Sequence, residues 1–82
     1  MKTRINNNNI YDTVRYNIRK LRIEKNMTQQ ELADAAELSH GYVREIESRK
    51  MGTTFSLDAV EKFATSLEVE FKVLFEEPNE KL

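Results

Sequence analysis

The stretch TQQELADAAELSHGYVREIE, residues 28–47, holds two helix starts only eleven residues apart, at Thr28 and Ser39. No other feature limits so tightly what the chain can become. Thr28 offers an N-cap, Glu31 completes a capping box with it, and Met27 is placed to staple onto Leu32. Leu32, Ala33 and Ala36 then recur at helical spacing, leaving Gln29, Gln30, Glu31 and Asp34 for solvent. Ser39 supplies the second cap and Leu38 can staple onto Val43, so a new helix begins before the first has cleared the corner. Two short helices so joined must cross steeply.

Placing the residues from His40 onward at about 100° per residue gathers Val43, Ile46 and Glu47 in one sector, with Tyr42 at its edge. His40, Gly41, Arg44, Glu45 and Ser48 fill the opposite sector. A polar stripe containing Arg and His on such a helix can read base edges in a major groove. With these residues in view, the chain resembles the phage-repressor-like (Xre, Cro/C1-type) helix-turn-helix family. T-Q-x-E-L-A followed by L-S-x-x-Y-V-x-x-I-E carries the likeness, and Val14 to Phe75 follows its five-helix layout. The resemblance implies an all-α fold, a five-helix lambda-repressor-like DNA-binding domain with a central helix-turn-helix. Two positions depart from it: Glu37 in the turn and Glu68 before the last helix stand where the family usually has Gly. A left-handed backbone at either would cost a Glu roughly 1 kcal/mol relative to Gly.

Eighty-two residues suit one domain with one small core. The absence of Cys excludes a disulfide framework and a thiolate zinc site, and a single His with scattered carboxylates makes no metal cluster. With no signal peptide and no membrane-spanning apolar run, the expected setting is the cytoplasm. The net charge of -1 hides a polarity: residues 1–50 hold ten Lys/Arg against seven acids, and residues 51–82 hold three against seven. A basic face backed by an acidic one can still meet phosphates, with weak long-range steering and strong salt sensitivity.

In chain order, residues 1–10 form a polar leader, read either as disordered or, through Lys2 and Arg4, as a basic arm for a minor groove. The domain then occupies residues 11–76. Tyr11, Val14, Ile18 and Leu21 mark the first helix, whose Arg15, Arg19, Lys20 and Lys25 are assigned to solvent. Asn26 can supply the left-handed residue that closes it. The resemblance implies that Arg22 pairs with Glu47, the acid ending the recognition helix, in a largely enclosed structural pair. Residues 48–55 read as a loop, and Ser56 caps the next helix, with Leu57, Val60, Phe63, Ala64 and Leu67 as its buried stripe. Phe71, Val73, Leu74 and Phe75 are denser than one small helix can hide, which marks them as a homodimer seam. An acidic tail, residues 77–82, ends the chain.

For base contacts the candidates are His40, Gly41, Arg44 and Glu45; for phosphate contacts they are Gln29, Ser39, Tyr42, Arg49 and Lys50. Each has a plainer reading. Gln29 can be a solvated side chain, Gly41 a tolerated surface residue, Tyr42 a core edge, and Arg44 a phosphate clamp or a partner of Glu45. The expected function is a sequence-specific transcriptional regulator, acting as a repressor of a palindromic double-stranded DNA operator and autoregulatory. A phage, mobile-element or restriction-modification controller protein fits that size. The alternative is an antitoxin-type interaction module that also binds its own operator. No Ser/His/acid set, Gly-rich phosphate loop or metal constellation suggests an enzyme, and no cofactor or small-molecule ligand is indicated.

Overall fold

The computed structural model describes residues 10–48 and 54–77. Four α-helices, α1 (Ile10–Glu24), α2 (Gln29–Ala36), α3 (His40–Ser48) and α4 (Leu57–Leu67), are followed by a 3-10 helix over Phe71–Phe75. The last of five expected helices is thus a tight 3-10 turn rather than an α-helix. Between the acids Glu68, Glu70 and Glu76, the chain needs to turn only Leu74 fully inward.

The core is one cluster: Val14 and Ile18 from α1, Leu32, Ala33 and Ala36 from α2, Val43 and Ile46 from α3, Ala59, Val60, Phe63, Ala64 and Leu67 from α4, and Leu74. Small residues on α2 allow its close approach to α3 and α4, while Phe63 fills the middle. Asn17 ties the chain's end to its beginning. Its amide donates to the carbonyls of Leu74, at 2.9 Å, and Glu76, at 2.8 Å, the first of these bonds buried, and so gives partners to backbone at the end of the short 3-10 helix.

Three helices end in the same way. Asn26, Glu37 and Glu68 have φ of 57°, 60° and 60°. The next residue in each case, Met27, Leu38 or Val69, donates its N–H back to Arg22, Ala33 or Ala64 at 3.0, 2.9 and 3.0 Å. Each of these next residues also packs on the core. This is the Schellman termination, a left-handed residue followed by an apolar anchor. Asn tolerates the geometry, but the two Glu are strained and place a negative charge at the negative end of a helix. Glu37→Gly and Glu68→Gly are each expected to raise stability by about 1 kcal/mol. A thermal melt in which neither variant gains would contradict the strain.

Two expectations from the sequence are corrected. Leu57, placed in the buried stripe of α4, is 66% exposed; it opens the helix at the rim of a hollow lined also by Ile10, Tyr11, Phe55 and Phe75. Arg15, assigned to solvent, is among the largest fully buried side chains, at 2% exposure.

Candidate nucleic-acid interface

α2 and α3 are joined through Glu37–Ser39 alone. The Thr28 hydroxyl accepts from the Glu31 N–H, and the Glu31 carboxylate accepts from the Thr28 N–H, closing the capping box. Ser39 Oγ accepts from the Tyr42 N–H at 3.1 Å and so caps α3. Leu38, between these elements, packs on the core and sets the corner.

From this corner α3 buries Val43, Ile46 and Glu47, and it exposes Gly41, Arg44, Glu45 and Ser48, with His40 and Tyr42 half-buried. A Cβ at Gly41 would meet nothing within 4 Å, so the position lies open to an approaching surface. Burial raises the Tyr42 phenol above its ordinary pKa, and the Glu45 carboxylate adds to the effect. The hydroxyl therefore stays protonated, able to donate, across the physiological range. The stripe offers cationic donors at Arg44, an acceptor at Glu45 and either function at His40, the groups that major-groove base edges pair with.

The helix is held from behind by charge. Arg22 Nε and Nη2 grip Glu47 Oε2 and Oε1 at 2.8 and 2.9 Å, and Arg22 Nη1 donates to the Met27 carbonyl at 2.7 Å. The same Glu47 Oε1 accepts from the Gln29 amide at 3.0 Å, and Arg19 Nε stands 3.9 Å from it. Such an enclosed carboxylate is stable only with this many donors around it. A third arginine of α1 reaches the same end of α3: Arg15 Nη1 donates to the Ile46 carbonyl at 2.8 Å and Nε to Asp12 Oδ1 at 3.1 Å. Its guanidinium lies 5.8 Å from the centre of the Phe55 ring, which Tyr11 meets edge-on at 5.1 Å.

The structure brings together Gln29, Arg22 and Glu47 behind the turn, and His40, Gly41, Arg44 and Glu45 along one side of α3. Gln29 therefore does not dangle in solvent: Glu47 fixes its amide at the start of α2. Arg49 and Lys50, with the leader and the last residues of the tail, lie outside the described residues. Of the seam candidates, Phe71 is exposed and Val73 and Phe75 are half-buried, but Leu74 is closed within this chain's own core. Its side chain is not available to a second copy, because Asn17 draws the backbone at Leu74 onto α1. Sequence reasoning missed Arg15. The signal was its spacing from Arg22: seven residues place the two about 20° apart on one flank of a helix.

Among the described residues no group of three or more His and acidic side chains could hold a metal ion, and no helix is long and apolar enough to cross a membrane. The profile of the helix-turn-helix family HTH_3 matches residues 18–74. Among solved structures the chain is similar to the hypothetical transcription factor NHTF from Neisseria, with 30% identity and a TM-score of 0.76, over 84% of this chain and 75% of that one. It is similar to the restriction-modification controller protein C.AhdI from Aeromonas hydrophila, with 31% identity and a TM-score of 0.71, over 79% and 96% of the two chains. It is similar also to C.Esp1396I bound to a 25 base pair operator site, with 31% identity and a TM-score of 0.73, over 83% and 87%. No curated protein matches the sequence.

Proposed function

Because the chain belongs to the phage-repressor-like (Xre, Cro/C1-type) helix-turn-helix family of DNA-binding transcriptional regulators, we propose that it represses transcription by laying α3 in the major groove of a palindromic operator. The observation that carries this reading is the division of α3. One side is locked to the core and to Arg22, and the other is an open polar stripe of Gly41, Arg44, Glu45 and Ser48. In this reading His40, Arg44 and Glu45 meet base edges, Gly41 admits the backbone close to the groove, and Gln29, Ser39 and Tyr42 meet phosphates.

A second copy completes the site. Ile10, Leu57 and Phe71 are exposed large apolar residues. Ile10, Leu57 and Phe75 line one hollow of about 270 Å³, and the Phe71 and Phe75 rings lie 5.1 Å apart. We place the homodimer seam there. One recognition helix reads only a few base pairs, so two of them would address half-sites roughly 34 Å apart, one turn of the duplex. C.Esp1396I, whose fold this chain shares, has been seen bound to an operator, which supports the reading.

Selection from a random duplex pool tests it. The expected product is an inverted repeat with half-sites about one turn apart, bound with an affinity that falls steeply between roughly 50 and 200 mM salt. A pool that shows no enrichment after repeated rounds would sink the proposal.

A further inference from the structure

We propose that Arg15 is a positioning residue for sequence reading: it fixes the rotation of α3 on α1, and so the aim of Arg44 and Glu45, rather than serving the stability of the fold. The proposal rests on α3 being the helix that reads DNA.

An arginine at 2% exposure is a costly way to fill space. Desolvating a guanidinium takes several kcal/mol, and an apolar side chain of similar volume is often as stable or more so. What Arg15 offers that an apolar residue cannot is direction. Its Nη1 holds the Ile46 carbonyl at 2.8 Å, one of the last-turn carbonyls of α3, a helix with no basic residue of its own in that turn. A cation there complements the negative end of the helix dipole. Asp12 and the Phe55 ring hold the guanidinium in turn, so its own orientation is set before DNA arrives.

Arg15 and Arg22 grip adjacent residues of α3, one through the Ile46 backbone and the other through the Glu47 side chain. A side chain alone leaves its helix free to roll about its axis by adjusting rotamers. A backbone carbonyl held from a second point does not. Side-chain tips lie roughly 5–6 Å from a helix axis, so a roll of about 20° displaces them by about 2 Å. That is several times the range over which a hydrogen bond to a base edge survives. Losing the backbone grip should therefore blur base choice while leaving phosphate contacts, which tolerate small shifts, largely in place.

The test compares the full chain with Arg15→Met, Arg15→Lys and the core control Phe63→Leu. The probes are the duplex recovered by selection and a shuffled duplex of the same composition, and folding of each protein is confirmed by circular dichroism. For Arg15→Met the preference for the selected duplex should fall at least about tenfold, with shuffled-duplex affinity within about threefold of the parent. Arg15→Lys should recover part of the preference, and Phe63→Leu should keep it despite a lower melting temperature. In an Arg44→Ala background, Arg15→Met should cost less preference than it does in the parent, since one of the two groups it aims is gone. A parent chain without any preference overturns the DNA-reading premise. A parent with preference and an Arg15→Met that keeps it overturns the positioning role alone, as does failure of both Arg15 variants to fold, which would make Arg15 a folding residue.

Discussion

Replacing Glu47 with alanine is expected to cost about 2–4 kcal/mol of stability and to lower the melting temperature by on the order of 10–25 °C in a domain of this size. The carboxylate is enclosed and accepts from Arg22 twice and from Gln29 once. Its removal strands a guanidinium whose side chain is 12% exposed, and leaves the Gln29 amide without its acceptor. Arg22 retains the Met27 carbonyl and some access to water, which keeps the loss below that of a fully buried charge. Replacing both partners with apolar residues, Arg22→Met with Glu47→Leu, should recover most of the stability, because no charge is then left unpaired. Thermal unfolding by circular dichroism distinguishes these cases. A Glu47→Ala variant that melts with the parent would show the pair to be ornamental.

Arg44→Ala is expected to weaken binding to the preferred operator by roughly 1–3 kcal/mol and to relax the choice of base at one position in each half-site. Arg44 lies exposed on α3, one turn after His40 and away from the Arg22 and Arg15 clamps. A guanidinium so placed can bond O6 and N7 of a guanine together, which phosphate contacts from flexible segments cannot imitate. Since phosphates take half or more of the hydrogen bonds in such complexes, the competing role is a backbone clamp. Binding to a set of single base-pair substitutions separates the two. A loss that is equal across all substitutions assigns Arg44 to phosphate and leaves base reading to His40, Glu45 and the shape of the duplex.

The helix-turn-helix was legible because its signals are local. Thr28 with Glu31 and Ser39 with Tyr42 cap their helices within one turn, and the face of α3 follows from periodicity alone. The left-handed residue at Asn26 was likewise anticipated, and Glu37 and Glu68 adopt φ of 60° where the family usually carries Gly. Arg15 was not legible in the same way. A charge on the flank of an apolar stripe is buried or solvated according to what a distant segment offers it, here the Ile46 carbonyl thirty-one residues on. Asn17 was missed for the same reason, as its partners at Leu74 and Glu76 lie in the last described turn. Leu57 and Leu74 erred in opposite senses. Both are apolar, and only the packing of the 3-10 helix decides that Leu74 turns inward while Leu57 is left at a rim.

The central claim, that the exposed side of α3 reads DNA sequence, is tested most directly by competition between the selected duplex and its shuffled counterpart at about 150 mM salt. Specific regulators of this kind prefer their own site by about a thousandfold or more, and that is the predicted result, with weak non-specific binding remaining on the shuffled duplex. Equal affinity for the two duplexes at every salt concentration would contradict the account.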